Sequence, residues 1–537
     1  MPSMIVGPQP LAVEEGAKVL AAGGNAFDAA LTCAAVQFLV DPHSCGIGGY
    51  LLLTCRPAGR TASDVVTLDA PALAGSRTRP DMWQDIVLGP NPRGWGFFLK
   101  GKVNEDGYQS VCTPGMARGM EAIHKKWCTL PWKEIFAPAI RIANEGWVVT
   151  QSMANRWKDP PQYYEGSSLR QKLDVTRDAQ QIYLKDGRTR EMGESLRNPD
   201  YGRTLERLAT HGADDFYSGG LARDMLADLD AHHGFVTTDD LKNYQTRDEA
   251  PVRVTYRGYD VASNQPPHGG PTLGAILNIL NGWDLAALGH NSPEYIYRVS
   301  MAMKAAFADR NQLLADPRFQ KVPLEWMLSD ARADEWRSTI EAGRPIVPPP
   351  PHADSPDTTQ VTVVDRQGNC VSLTHSLGSS SGAITPGLGF MYNNSMVNFF
   401  PKPGHANSIA PGKSRTTGMT PTIVSRGGKP VLVLGAPGAT RIITSVLQTI
   451  LNVLDFGMSV SDAVLAPRFD CQGEMIWCQA RIPEYVCAEV RRRHPVTRLA
   501  YSHGGMALVH AIHIDEKTGQ LTGAADAGAD GMPLLVS

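Results

Sequence analysis

Three places in the sequence hold residue types that could do covalent chemistry. Gly378-Ser379-Ser380-Ser381-Gly382 fits the GxSxG pattern of a serine nucleophile elbow, which needs a strand before it and a helix after it. The preceding VSLTHSL supplies the strand. The following AITPGLGF sets Pro386, Gly387 and Gly389 in a row hostile to a helix, so the stretch reads as a flexible Ser/Gly hairpin loop. The second place is Asp357-Thr358-Thr359. A threonine hydroxyl is a weak nucleophile alone, but a free α-amine on the same residue can act as its base. That arrangement requires cutting the chain just before Thr358. Read alone, a threonine opening a strand is more often structural, and both readings stand at this point. The third place is His503, His510 and His513 in a C-terminal strand-like stretch, which read as packing or surface histidines. The sequence contains no HExxH, no Walker loop and no paired metal-ligand spacing, so no metal or cofactor is expected.

The elements that must position these residues can be read from their punctuation. Residues 10–40 form two Ala-rich helical patterns around Gly23-Gly24-Asn25, stopped by Asp41-Pro42-His43 and followed by an apolar strand over Tyr50–Cys55. Residues 115–145, 200–231 and 294–316 read as further helices. The stretch 341–357, EAGRPIVPPPPHADSPD, admits neither a packed helix nor a central strand and reads as an exposed connector. It is either a plain linker or a processing site. From Thr358 the chain turns strand-rich: TTQVTVVDR and CVSLTHSL flank Gly368-Asn369, a hairpin signature. VLVLGAPGATRIITSVLQTILNVLDF reads as strand, glycine turn and helix, and the chain closes on a hairpin through MALVHAIHID and QLTGAADAG.

Composition bounds the class. Lys and Arg number 51 against 54 Asp and Glu, a formal charge of −3, which removes an electrostatic case for nucleic acid or an anionic membrane surface. With 42% hydrophobic and 20% charged residues the chain is globular in type. Its longest apolar stretch, Ala29–Val40, carries Gln37 and falls short of the roughly 18 residues a membrane span needs. The opening MPSMIVGPQP has no secretory signal pattern, and nine cysteines without a CxxC pair read as buried thiols in a reducing compartment. A cytoplasmic location is the expectation.

The chain resembles the gamma-glutamyltranspeptidase family of N-terminal nucleophile hydrolases along nearly its whole length. The resemblance runs in order through GGNAFDAA (23–30), GIGGY (46–50), APAIRIANEGW (137–147), FYSGGLA (216–222) and YRGYDVASNQPPHGGPT (256–272). It continues through TTQVTVVDRQGNCVS (358–372), MTPTIV (419–424), GAPGATRIITSVLQ (435–448) and APRF (466–469). It implies a four-layer α/β/β/α sandwich made as a precursor that cuts itself into a large chain, 1–357, and a small chain, 358–537. The implied processing site is Asp357–Thr358 and the implied nucleophile is Thr358. The supporting hydroxyl falls on Ser376 and the backbone oxyanion donors on Gly438 and Ala439, where the family usually has two glycines. The partners implied are a small-molecule amide substrate and the two chains of one precursor, with a higher oligomer compatible.

The departures from the family concern the substrate. The arginine that grips the glutamate carboxylate falls on Pro71. The asparagine after the hairpin falls on Gly378, the acidic residue for the α-ammonium on Asn398, its helper on Ser395, and the Ser-Ser pair on Thr417-Gly418. Loss of the arginine and the acid removes both charges that recognise an amino-acid zwitterion. The expectation is therefore an autoprocessed threonine amide hydrolase or acyltransferase acting on a non-standard acyl amide. One alternative is true γ-glutamyl or glutathione hydrolysis, with Arg415 or Lys413 replacing the lost arginine. Another, of a different class, is an uncleaved homologue kept for binding.

Overall fold

The computed structural model describes residues 2–59, 64–90, 96–159, 166–349 and 357–537. Two antiparallel sheets form its centre. The first has seven strands in the order Arg247–Glu249, Val66–Ala70, Tyr50–Arg56, Cys370–Ser376, Thr359–Val364, Ser3–Gly7 and Met532–Val536. The second has six: Val252–Tyr256, Tyr259–Ser263, Thr422–Arg426, Lys429–Gly435, His510–Ile514 and Leu521–Ala525. Strands from both sides of Thr358 share each sheet, so the stretches 1–357 and 358–537 are interleaved within one body.

The sheets stack face to face and helices cover the outer face of each. Met4, Val6, Val364, Cys370, Ile423, Val433 and Ile512 meet between the sheets. Val361, Val363, Val371 and Leu373 point the other way, into a core with the helices Pro10–Ala21 and Ala26–Val40. The second sheet buries Val424, Leu432 and Leu434 against the helices Gly270–Leu280, Pro293–Leu313 and Arg441–Leu454. Because both faces of Thr359–Val364 and Cys370–Ser376 are covered, every residue of the two strands is buried. Their polar members Gln360, Thr362, Ser372 and Thr374 face the second sheet and bond to one another or to its backbone: Ser372 Oγ donates to Leu434 O at 2.8 Å and Thr362 Oγ1 to His510 O at 3.1 Å. A buried hydroxyl is tolerated where it finds such a partner.

Several expectations need correction. The hairpin after Thr358 does not turn on Gly368-Asn369 alone. Its loop is Asp365–Asn369, closed by Asp365 N donating to Asn369 O at 3.1 Å and organised by the Asp365 carboxylate, which accepts from the N–H groups of Gln367 and Asn369 at 2.9 Å. The stretch 115–145 is two helices, Met116–Trp127 and Trp132–Glu145, because the backbone N–H groups of Thr129 and Leu130 turn out to the Asp28 carboxylate. The stretch 200–231 breaks into Pro199–His211, Asp214–Tyr217 and Gly220–Ala231. A final strand, Met532–Val536, was not anticipated; it carries Pro533 at the sheet edge, where a missing N–H costs no ladder bond. The connector begins where helix Asp330–Glu341 ends, and its residues 350–356 lie outside the described residues. None of the nine cysteines is in a disulfide. No helix among the described residues is long and apolar enough to cross a membrane.

Candidate active site

Thr358 stands at the head of the buried hairpin, 7% exposed, on the wall of a cavity of about 250 Å³. Ser376, the last residue of the hairpin's second strand, lies beside it. The Thr358 hydroxyl is 3.5 Å from Ser376 Oγ. Ser376 Oγ accepts from Gly378 N–H at 2.8 Å and donates to the backbone carbonyl of Asp357 at 2.7 Å. Gly378 takes the left-handed conformation, φ 79°, that turns its N–H back onto the serine. The one hydroxyl thus approaches the threonine oxygen and polarises the carbonyl of the Asp357–Thr358 peptide bond.

The opposite wall comes from the second sheet. Strand Lys429–Gly435 ends in Ala436-Pro437-Gly438-Ala439, which opens the 14-residue helix Arg441–Leu454. Gly438 lines the cavity with Thr358. A helix N-terminus concentrates free N–H groups and positive potential, the requirement for holding an oxyanion. Gly438 has φ 134°, and a Cβ there would come 2.7 Å from Ala507, so only glycine fits. Ala439 has φ 59°, a left-handed conformation that an alanine occupies at a cost. Alanine at 439 keeps the backbone N–H that a glycine would offer, in a strained left-handed conformation.

The GxSxG serine has no such setting. Ser380 is fully buried, and no helix follows it. Nor is the stretch a flexible loop as expected: Ser379 N–H donates to Asn394 Oδ1, Ser381 N–H to Tyr392 O, and Lys172 Nζ to Ser380 O at 2.8 Å. His43 Nδ1 lies 3.4 Å from Ser380 Oγ, but His43 Nε2 accepts from Trp157 Nε1–H at 2.8 Å. The proton must then sit on Nδ1, so this histidine donates to the serine and cannot take its proton. Burial, with Arg156 and Lys172 nearby, holds the His43 pKa well below its ordinary value. Among the C-terminal histidines, His510 is fully buried, pushed by burial to about 4, and His503 is exposed.

The residues at the family's glutamate-reading positions lie in buried loops, and none of them is among the residues lining the Thr358 cavity. Asn394 Oδ1 accepts from the N–H of Ser379, the neighbour of Gly378, and the Ser395 N–H donates to Asn393 Oδ1. Asn407 bridges Asn398 O at 2.7 Å to Thr416 N–H at 3.2 Å. The Thr417 hydroxyl is spent on His268 Nδ1 at 2.9 Å and the Met419 N–H. Gly418 backs onto Ala439, whose carbonyl oxygen would lie 2.3 Å from a Cβ at 418. Pro71 offers only its carbonyl, to the Tyr244 hydroxyl. The two cations considered as substitutes are turned inward. Arg415 packs on the Tyr50 ring and donates to the Tyr50 hydroxyl, and Lys413 Nζ donates to Ala406 O and Ser408 O.

Sequence reasoning missed the basic group that lines the cavity beside Asp41, Asp357 and Asp530. Arg156, in helix Gln151–Lys158, donates through Nη1 to Asp41 Oδ1 at 2.7 Å and Ser44 Oγ at 2.9 Å, and through Nη2 to Asp357 Oδ1 at 2.5 Å. Gln9 Nε2 holds the other Asp41 oxygen at 2.8 Å. Burial pushes the Asp357 carboxyl above the usual range; Arg156 pulls it back and Asp41 pushes it up again. In the sequence Asp41 reads only as a helix stop, and nothing local marks Arg156.

The family model described as gamma-glutamyltranspeptidase matches residues 12–536. The chain is 36% identical to the acylase ACY 1 proenzyme of Pseudomonas sp. (strain V22), over 99% of this chain and 93% of that protein. It is 31% identical to the glutathione hydrolase proenzyme of Escherichia coli (strain K12), over 87% of this chain and 81% of that one. Among solved structures it is similar to a cephalosporin acylase from Bacillus halodurans, with TM-score 0.88 and 28% identity over 99% of this chain and 95% of that chain.

Proposed function

The chain belongs to the gamma-glutamyltranspeptidase family and is an amidohydrolase of that family, and from this premise we propose that it is a precursor that cuts itself between Asp357 and Thr358 to free a threonine nucleophile. Its two face-to-face sheets between helices are then the four-layer sandwich of N-terminal nucleophile hydrolases. The observation that carries the proposal is the Ser376 hydroxyl, which donates to the Asp357 carbonyl and lies against the Thr358 oxygen.

In self-cleavage Thr358 Oγ1 adds to the Asp357 carbonyl carbon while Ser376 Oγ–H supports the oxygen. The C–N bond breaks, the hydroxyl proton ends on the departing nitrogen, and Asp357 is left as an ester on Oγ1. Water resolves the ester into the Asp357 carboxylate and a free Thr358 hydroxyl and α-amine. In turnover that amine takes the hydroxyl proton as Oγ1 attacks the substrate amide, and the Gly438 and Ala439 N–H groups receive the oxyanion. The amine product leaves with the proton, and water or a second amine takes the acyl group.

The acyl group is not γ-glutamyl in this reading. The positions that would hold a glutamate zwitterion carry Pro71, Asn398, Ser395 and Gly418, and Arg415 and Lys413 are engaged elsewhere. Charge-assisted hydrogen bonds contribute about 1.5–3 kcal/mol each, so losing two weakens selection for γ-glutamyl donors by roughly two to four orders of magnitude. The test is to assay the processed enzyme on γ-glutamyl-p-nitroanilide, glutathione and plain acyl anilides. Acyl anilides should be at least as good as γ-glutamyl donors. A kcat/KM on glutathione above roughly 10⁴ M⁻¹s⁻¹ makes it a glutathione hydrolase instead.

A further inference from the structure

Arg156 is, among the described residues, the sole lysine or arginine on the wall of the cavity that holds Thr358 and Gly438. It is built in from one side. Asp41 and Ser44 fix Nη1, and Gln9 fixes Asp41. The other nitrogen, Nη2, is occupied by a carboxylate, and that carboxylate belongs to Asp357, the residue whose carbonyl Thr358 is placed to attack. In self-cleavage the Asp357 residue is therefore the first acyl group that the Thr358 oxygen carries. Its carboxylate stands two carbons from the reacting carbonyl, the spacing of a succinic half-amide. Hydrolysis of the ester turns Asp357 into a chain end that can withdraw. A substrate acyl carbon bonded to the same Oγ1 then takes the place of the Asp357 carbonyl carbon, within reach of the vacated side of the guanidinium.

We infer that Arg156 is a specificity-determining residue of the processed enzyme, receiving a carboxylate on the substrate's acyl chain in the place that the Asp357 carboxylate fills in the precursor. The inference rests on the proposed cleavage at Thr358 and names the substrate class of that site: amides of short dicarboxylic acids, with the free carboxylate two carbons from the reacting carbonyl. The recognition differs from that of a γ-glutamyl reader. It needs no α-ammonium partner, and it comes from the helix at 151–158 rather than from the loops around 395–418. A guanidinium already clamped by Asp41 loses little freedom on taking a second carboxylate, which favours selective binding.

The test uses the processed wild-type enzyme and a series of p-nitroanilides: succinyl, glutaryl, adipoyl and the uncharged butyryl. The expected result is a succinyl kcat/KM about tenfold to a hundredfold above butyryl, the size of one charge-assisted contact, falling as the chain lengthens. Free succinate should inhibit competitively, and butyramide should not. Arg156→Gln should lower the succinyl-to-butyryl ratio by the same factor, and Arg156→Lys should keep part of it. Should Arg156→Gln fail to process, the wild-type length series and succinate inhibition decide the matter. A processed enzyme that turns over butyryl as well as succinyl and ignores succinate overturns the inference and leaves the threonine mechanism standing. A chain that stays whole and cleaves none of the four overturns both.

Discussion

Ser376 Oγ donates a 2.7 Å hydrogen bond to the carbonyl oxygen of Asp357, and the Thr358 hydroxyl lies 3.5 Å from the same Ser376 oxygen. A side chain 19 residues downstream is thereby delivered to one particular peptide bond. The antiparallel register does this: Thr359 pairs with His375, which sets Ser376 opposite the residue just before the strand.

Ser376→Ala should slow both self-cleavage and turnover by one to two orders of magnitude, about 1.4–3 kcal/mol of barrier. Ser380→Ala should cut at a rate close to wild type, since Ser380 receives a proton from His43 rather than giving one up. Time courses on denaturing gels, with anilide assays of the processed product, separate the two. Loss of all activity in a normally processed Ser380→Ala would favour a serine-elbow enzyme.

Much of the frame that makes this register was legible in the sequence. The alternation in TTQVTVVD and CVSLTHS marked two strands, and the glycines at 23–24 marked the turn between the first two helices. What failed depended on partners distant in sequence. Asp365 sets the hairpin loop and also caps helix Ala26–Val40 through Ala26 N–H, which no local pattern shows. Asp28 breaks the helix at 128–131 from a hundred residues away. The second sheet covers the polar face of these strands and supplies hydrogen-bond acceptors to it, through Leu434 O and His510 O. At the site, Thr358 was a candidate from residue type and from the connector before it, and the roles of Ser376 and the 438–439 turn came from the family resemblance, whereas Arg156 reaches the cavity only through tertiary packing.

The turn at 438–439 should respond to substitution in opposite ways at its two contacts. Ala439→Gly relieves a left-handed alanine and should stabilise the protein by about 1 kcal/mol without loss of activity. Gly418→Ser, which brings back a serine the family has there, should not restore a γ-glutamyl reader. Its Cβ would meet the Ala439 carbonyl oxygen at 2.3 Å and displace the oxyanion loop. The expected outcome is a fall in kcat on every amide; a gain on γ-glutamyl-p-nitroanilide alone would contradict it.

Acid should destabilise the fold through its buried histidines. Burial lowers His375 from 6.5 to about 3 and His510 from 6.5 to about 4. Below pH ~6.5 the unfolded chain takes up protons that the folded one refuses, so stability falls as pH falls from 6.5 towards 4. Each histidine contributes up to about 1.4 kcal/mol per pH unit across that window and nothing above it. Urea unfolding at pH 7.5 and 5 measures the slope, and His510→Leu should make it shallower.

Intact-mass analysis and N-terminal sequencing of the purified protein beside Thr358→Ala test the central claim most directly. The wild type should give two chains, the smaller beginning at Thr358, while Thr358→Ala stays a single inactive chain and Thr358→Ser still cuts. A wild type that remains one chain, a small chain beginning at another residue, or an active Thr358→Ala variant would contradict the account.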